Sequence, residues 1–171
     1  MLKTLIGAAA FALVGAFGAA AADLNDAQIA HIAYTAGQID IDAAKLALEK
    51  SQNADVRAFA DNMVADHTAV NEQALALVAK LKVTPEDNDT SKALTAAAAA
   101  KRTELAALSG AAFDVAYVAN EVAYHKTVNG ALEGTLIPAT KNAELKALLE
   151  TGLKIFQGHL EHAEHLAMTI K

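Results

Sequence analysis

The amino-acid sequence predicts an all-α protein that folds as a bundle of long helices. Alanine, the strongest helix former, supplies about a quarter of the 171 residues, whereas aromatic residues account for only 5%. Apolar residues recur at steps of three and four through most of the chain, which is the period of an amphipathic helix. This composition argues against a β-sandwich or β-barrel, and the lack of cysteine excludes a disulfide-stapled mini-protein.

The first 22 residues have the pattern of a secretory signal peptide. Lys3 supplies a positive charge, an apolar run extends to Phe17, and Ala20–Ala22 provides the small residues of a cleavage site. We therefore expect cleavage after Ala22 and a helical domain over residues 23–171, located in the periplasm or secreted, with no stable membrane insertion after cleavage. A retained membrane anchor is the less favoured alternative, because the run is rich in alanine and glycine.

Two strongly periodic helices follow the expected cleavage site. Asn25 and Gln28 have the spacing of a capping box and predict the start of the first helix, which Ser51–Asn53 interrupts. Asn53 is suited to cap the second helix, whose apolar stripe continues to a polar loop over residues 83–89. A connection of about three residues predicts that these two helices are antiparallel neighbours.

Three further helices complete the predicted bundle. The third covers Ser91–Leu108, the fourth runs from Ala111 to Ile137 and stops at Pro138, and the fifth covers Lys141–Ile170. The fourth and fifth should again be antiparallel, whereas a helix of ~18 residues spans ~27 Å and can carry the chain back along the bundle. Two antiparallel pairs, with a long helical crossover between helices two and four, give an up-down bundle of ferritin-like connectivity.

Charge and missing motifs exclude several functional classes. The formal net charge of −6 gives no support to nucleic-acid binding, which normally needs a basic face. The chain has no phosphate-binding glycine loop, no cysteine nucleophile and no Gly-x-Ser-x-Gly motif, so a non-enzymatic role is favoured over catalysis. Protein partners stay open, and so does assembly as a homo-oligomer.

Histidine and acidic residues gather at one height of the predicted bundle. With a rise of ~1.5 Å per residue, four helices bring five of them within about two turns of one another. These residues are Asp40, His67, Glu121, His125 and His159. Imidazole nitrogens and carboxylate oxygens suit Zn²⁺, Cu²⁺ or iron, so the cluster predicts a metal site. The alternatives are buried polar residues bonded to one another, or a proton-sharing network.

Further polar residues lie near the predicted site. His162 follows His159 by about one helical turn and is a weaker candidate at the rim of the site. Asp66 could contribute to the site edge, although a solvated surface acid is favoured. Tyr117 and Tyr124 flank the same face of the fourth helix and are interpreted mainly as core residues.

Three motifs have spacings that recur in one known family. They are Ala47-x-x-Lys50-Ser51-x-Asn53-x-x-Val56-x-x-Phe59-Ala60-x-x-Met63-Val64-x-Asp66-His67, Phe113-Asp114-x-x-Tyr117-Val118-x-x-x-Val122-x-x-His125, and His159-Leu160-x-x-Ala163. On these residues, nearly all of the mature chain resembles the exported bacterial family called domain of unknown function 4142. The resemblance implies a ferritin-like bundle in the cell envelope and little about its chemistry.

The chain departs from the pattern of ferritin-like di-iron proteins. Those proteins use Glu-x-x-His on two helices and single Glu residues on two others. Here Val64 stands three residues before His67, and Phe156 stands three residues before His159. We therefore expect a mononuclear or histidine-rich site instead of a conventional di-iron or iron-storage centre.

Two functions follow from these observations. The first is an exported envelope protein that binds a metal ion through the histidine and carboxylate cluster. The second is a non-catalytic structural or stress-related envelope protein, whose buried polar network only fixes helix packing. The first predicts that His67→Ala and His125→Ala abolish metal binding, whereas the second predicts a change in stability alone.

Overall fold

Long α-helices make up most of the chain that the structure describes. A computed structural model describes residues 24–170, which form α1 (Asp26–Lys50), α2 (Ala54–Leu81), α3 (Asp89–Ala106), α4 (Gly110–Ala131), the short α5 (Ile137–Ala139) and α6 (Ala143–Thr169). Within these residues there is no β-strand, which confirms the all-α class. The expected signal peptide lies outside the described residues. No helix between residues 24 and 170 combines the length and apolar character needed to cross a membrane.

Side-chain caps begin the first two helices as predicted. The Asn25 side chain accepts a hydrogen bond from the Gln28 backbone N–H at 2.9 Å, and the Gln28 side chain accepts one from the Asn25 backbone N–H at 3.1 Å. Asn53 accepts from the backbone N–H groups of Asp55 and Val56. These bonds satisfy backbone donors that have no partner inside a helix, so they fix where α1 and α2 start.

Two caps that the sequence analysis missed move the predicted helix starts. Asn88 forms a capping box with Ser91, so α3 begins two residues earlier than predicted. Asn142 caps α6, which therefore begins two residues later than predicted. The Asp26 carboxylate accepts hydrogen bonds from the backbone N–H groups of Lys141 and Asn142 at 2.9 and 2.8 Å, which ties the start of α6 to the start of α1.

The predicted fourth helix is not one continuous α-helix. After α4 ends at Ala131, the chain widens into a π-helical turn, Leu132–Leu136, in which the Ile137 N–H donates to the Leu132 carbonyl. The helical path then passes through Pro138 and ends at Ala139, two residues beyond the predicted last residue, Ile137. In a regular α-helix, a proline ring clashes with the backbone carbonyl four residues earlier. The carbonyl four residues before Pro138 lies within the π-helical turn, where the backbone is wider.

Ring contacts show that α2 and α4 run parallel. Near the start of both helices the rings of Phe59 and Tyr117 lie 6.3 Å apart, and further along both helices those of His67 and His125 lie 5.8 Å apart. Since α3 lies between them in the chain, it must carry the chain back along the bundle. The predicted connectivity of two antiparallel pairs joined by a helical crossover is therefore present.

The buried apolar core is divided into two clusters, one toward each end of the bundle. We name them after the α3 residue that each contains. The Leu94 cluster includes Ile29, Ile32, Val128, Leu132, Leu149 and Phe156. The Leu105 cluster includes Leu46, Phe59, Met63, Phe113, Tyr117 and Leu166. The residues between the two clusters are polar, and they form the candidate site.

Two glycines test the helix geometry in opposite directions. Gly158 lies on an exposed face of α6 with no atom near the position of an added methyl group, so Gly158→Ala should stabilise the protein by about 0.5–1 kcal/mol. Gly110 starts α4 with a φ of +55°, so Gly110→Ala should destabilise it by about 1–2 kcal/mol. Urea unfolding measures both changes. Equal effects of the two substitutions would contradict the described backbone.

Candidate metal centre

Five polar side chains form one buried layer between the two apolar clusters. This polar layer consists of Asp40 on α1, His67 on α2, Glu121 and His125 on α4, and His159 on α6, each between 1 and 8% exposed. On each of these helices, a residue of the polar layer lies between the residues that belong to the Leu94 cluster and those that belong to the Leu105 cluster. The sequence thus substitutes histidine and acid at positions that face the bundle axis, and four rigid helices hold them.

The three imidazoles of the polar layer converge. One ring nitrogen from each of His67, His125 and His159 lies within 4.8 Å of the others. Three atoms at that spacing share a point no more than about 2.8 Å from each, whereas zinc–nitrogen bonds are about 2.0–2.1 Å long. Inward shifts of less than about 1 Å would therefore bring all three nitrogens to bonding distance of one ion.

Hydrogen bonds fix which nitrogen of two histidines carries the lone pair. His125 Nδ1 lies 3.0 Å from the Glu121 backbone carbonyl, and His159 Nε2 lies 2.9 Å from an Asp66 carboxylate oxygen. Carbonyl and carboxylate oxygens only accept, so these two nitrogens carry the protons. The lone pairs belong to His125 Nε2 and His159 Nδ1, and both atoms are buried without a hydrogen-bond partner.

His67 is held by stacking instead of by hydrogen bonds. Its ring lies parallel to that of Phe156, with centroids 4.5 Å apart and an interplanar angle of 7°. Both ring nitrogens are buried without a hydrogen-bond partner, and Nε2 lies 3.5 Å from a carboxylate oxygen of Asp40. The stack fixes the ring plane, and the ring nitrogen that carries no proton is available to a ligand.

A second group of potential ligands shares His125. One carboxylate oxygen from each of Asp40 and Glu121 lies within 4.8 Å of the other and of a His125 nitrogen. Burial raises the pKa of Asp40 well above its usual range, and the neighbouring Glu121 raises it further. Burial also raises the pKa of Glu121 to about 8, although hydrogen bonds with Asn120 and Asp40 oppose the rise. The two carboxyl groups therefore retain protons unless a cation lies beside them.

The His67 and His125 imidazoles are neutral at physiological pH. Burial lowers the pKa of His67 well below its usual value, and the nearby His125 and His159 lower it further. Burial likewise lowers the pKa of His125 to about 4, against the opposing effect of the Glu121 backbone carbonyl. Neutral imidazole is the form that binds metal ions, so these rings need no deprotonation to act as ligands.

Other candidate residues lie at or outside the edge of this layer. His162 is exposed, and its ring packs edge-on against Phe59 with centroids 5.1 Å apart, so it does not join the polar layer. Asp66, which the sequence analysis favoured as a surface acid, has a half-exposed side chain and holds His159. Tyr124 donates a hydrogen bond to the Ala36 carbonyl at 3.2 Å and packs in the Leu94 cluster.

Sequence reasoning allows Asp66 a place at the site edge but favours a surface acid, and it assigns Phe156 no role in the site. Asp66 bonds to a histidine on another helix, and the pattern of α2 alone does not reveal that bond. Phe156 has the apolar stripe position expected of a core residue, and its stacking on His67 depends on the packing of α6 against α2. The only hint in the sequence is position: Asp66 directly precedes His67, and Phe156 stands three residues before His159.

Comparison with known proteins gives a family but no activity. A family model described as "Domain of unknown function (DUF4142)" matches residues 14–166. Neither the curated proteins nor the solved structures gave a match. The chemistry of the chain must therefore be inferred from the polar layer itself.

The raised pKa of Glu121 predicts a specific pH dependence in metal-free protein. Between its usual value of 4.5 and about 8, folded Glu121 keeps a proton that the unfolded chain has released, so folding stability falls as pH rises through this window. Glu121→Gln is neutral throughout and lacks this loss. The stability of the wild type relative to Glu121→Gln should therefore decrease by a few kcal/mol between about pH 4.5 and 8.

Urea unfolding in the presence of a chelator at several pH values measures this difference. Glu150→Gln, at an exposed glutamate of α6, is the matched control and should show no comparable trend. A pH-independent difference between the wild type and Glu121→Gln would contradict the burial of an uncompensated carboxyl group.

Proposed function

The chain belongs to the DUF4142 family, whose description assigns no activity, and we propose that it is an exported metal-binding protein of the cell envelope. The ion is a transition metal held inside the helical bundle by the polar layer. Binding of this ion, without catalysis, is the function that the geometry supports best.

The convergence of unbonded imidazole nitrogens carries this proposal. One ring nitrogen from each of His67, His125 and His159 lies within 4.8 Å of the others, and each of these buried rings has a nitrogen without a hydrogen-bond partner among the described residues. Leaving a buried polar group unsatisfied costs about 1–3 kcal/mol, so three together are expensive for a network that only fixes packing. A metal ion would satisfy all three at once.

The donor set narrows the class of metal. Three imidazole nitrogens are the protein ligands of many zinc sites, and the nearby Asp40 and Glu121 oxygens would allow higher coordination by Cu²⁺ or iron. A divalent ion would also favour the ionised form of both carboxyl groups, whose pKa values are raised by burial. The chain contains no thiolate ligand, because it has no cysteine.

Hydrogen bonds to the other ring nitrogens of two histidines also support a metal site. The Asp66 carboxylate accepts from His159, and the Glu121 carbonyl accepts from His125, each on the nitrogen that faces away from the lone pair. Such outer contacts commonly fix the tautomer and orientation of metal-binding histidines. Together they orient the rings before an ion arrives.

Export is the second part of the proposal. Residues 1–22 have the charge, the apolar run and the Ala-x-Ala end of a cleaved signal peptide. The mass of the protein recovered from periplasmic and culture fractions tests this directly. We expect an N-terminus at Asp23, and an uncleaved chain in the cytoplasm would contradict export.

Metal analysis tests the ligand assignment. Protein purified without a histidine tag and equilibrated with Zn²⁺, Cu²⁺ or Fe²⁺ should retain about one ion per chain, and His67→Ala and His125→Ala should each lower the affinity at least 100-fold, because each removes a ligand. His162→Ala removes an exposed histidine and should leave the affinity unchanged. Elemental analysis after dialysis and calorimetric titration give the two readouts.

The same variants separate the two functions that the sequence suggests. If His67→Ala and His125→Ala alter the free energy of unfolding while the wild type retains no ion, the polar layer only fixes packing. That outcome would exclude the metal-binding function.

A further prediction concerns the hydrogen bond between Asp66 and His159. Asp66→Ala should weaken metal binding by about 10–100-fold, since the imidazole loses the partner that sets its tautomer and orientation. Asp61→Ala removes an exposed acid from the same helix and serves as the control. Equal affinities of the two variants would show that Asp66 has no part in metal binding.

A further inference from the structure

A cleft separates part of α3 from α1 and α4. Its volume is about 430 Å³, which falls within the range of ~300–1,000 Å³ that is typical of small-molecule sites. Most of its lining is apolar and includes Ile39, Ala43 and Leu46 of α1, Ala98 and Leu105 of α3, and Tyr124 of α4. Among the described residues that line it, none belongs to the polar layer, so the cleft is distinct from the proposed metal site.

The sequence of α3 accounts for this cleft. Leu94 and Leu105 are buried, and each packs in one of the two apolar clusters. Residues 95–104, which lie between them, contain no apolar side chain larger than alanine. Because alanine fills much less space than leucine, the middle of α3 leaves a cleft against α1 and α4.

A cation stands on the face of α3 that lines the cleft. The residues of this face follow one another at steps of three and four, and they are Thr95, Ala98, Arg102 and Leu105. Arg102 therefore occupies a position on a face whose other residues are small or apolar. The Arg102 side chain is exposed, and it has no hydrogen bond or ion pair with any described residue.

The charged residues of the lining favour an anionic ligand. They are Asp42, Lys101 and Arg102. Lys101 pairs with Glu104, which lies outside the lining, and Asp42 accepts a hydrogen bond from the Gln38 side chain at 3.0 Å. Arg102 is therefore the charge that is left to recognise a ligand. Its planar guanidinium presents a fork of N–H donors that matches the two oxygens of a carboxylate.

We propose that this cleft binds a small amphipathic carboxylate, such as a medium-chain fatty acid, with its carboxylate on Arg102 and its alkyl chain along the apolar lining. Binding removes the alkyl chain from water, and the paired hydrogen bonds to the guanidinium fix the orientation of the head group. An uncharged molecule with the same chain gains only the first contribution. The site uses no ligand of the proposed metal ion, so the inference does not depend on metal binding.

Ligands that differ in one group at a time test this proposal. Decanoate, decanol and decyltrimethylammonium share the same alkyl chain and carry a negative, a neutral and a positive head group, whereas acetate has the carboxylate without the chain. Each is titrated into isotope-labelled protein with a chelator present, and NMR follows the backbone amides. Decanoate should shift amides of the cleft such as Leu46 and Ala98, and it should bind at least about 10-fold more tightly than decanol. Decyltrimethylammonium and acetate should give no saturable shift.

Two substitutions with matched controls locate the site. Arg102→Gln removes the charge, so it should weaken decanoate binding about 10-fold and leave decanol binding unchanged. Lys92→Gln, at an exposed lysine of α3 outside the lining, should match the wild type. Ala98→Leu fills part of the cleft and should weaken both ligands, whereas Ala100→Leu makes the same change at an exposed residue outside the lining and should alter neither. Arg102→Gln changes only an exposed side chain, so it keeps the test valid if Ala98→Leu does not fold.

Each outcome supports or overturns the proposal. Selective binding of decanoate in the cleft, weakened by Arg102→Gln, supports it. The proposal is overturned if decanoate gives no saturable shift, if the shifts lie outside the cleft, or if decanoate and decanol bind equally well. Equal decanoate affinity in Arg102→Gln and Lys92→Gln also overturns it. Because a chelator is present throughout, failure of the proposed metal site would leave these results unchanged.

Discussion

The structure depends on one costly constraint, the burial of five polar side chains in the middle of an apolar bundle. His67, His125 and His159 each have a buried nitrogen without a hydrogen-bond partner there, and one carboxyl oxygen of each of Asp40 and Glu121 also has none among the described residues. Each unsatisfied group costs about 1–3 kcal/mol, which is a large part of the 5–15 kcal/mol by which a domain is normally stable. An ion bound as proposed would satisfy the three imidazole nitrogens together, and this is the reason for proposing the polar layer as a binding site.

The remaining architecture supports and isolates that layer. The Leu94 and Leu105 clusters close it from above and below, and they contribute the apolar burial that offsets its cost. The crossover α3 makes α2 and α4 parallel, so His67 and His125 rise to the same height from helix starts that lie side by side. On α6, Phe156 stacks on His67 and His159 is held by Asp66. The positions of the side chains in the polar layer therefore depend on helix register, and the Asn25 and Asn53 caps help to fix that register.

Most of the fold and part of the site could be predicted from the sequence, for physical reasons that differ between elements. The heights of Asp40 and His67 follow from a constant rise per residue, and the inward direction of His67 and His159 follows from the apolar stripe. The π-helical turn before Pro138 could not be predicted, because the choice between widening and ending a helix depends on tertiary packing. The Asp66–His159 bond and the stacking of Phe156 on His67 likewise arise only when separate helices meet, and no single helix pattern encodes them.

An anomalous-diffraction experiment tests the central claim most directly. Crystals grown with Zn²⁺ and measured on both sides of the zinc absorption edge should show one strong peak inside the bundle, about 2.0–2.1 Å from nitrogens of His67, His125 and His159. The peak should persist in His162→Ala and disappear in His67→Ala. A zinc peak confined to the exposed His162 and His165, with the three buried imidazoles unliganded, would contradict the metal-binding account.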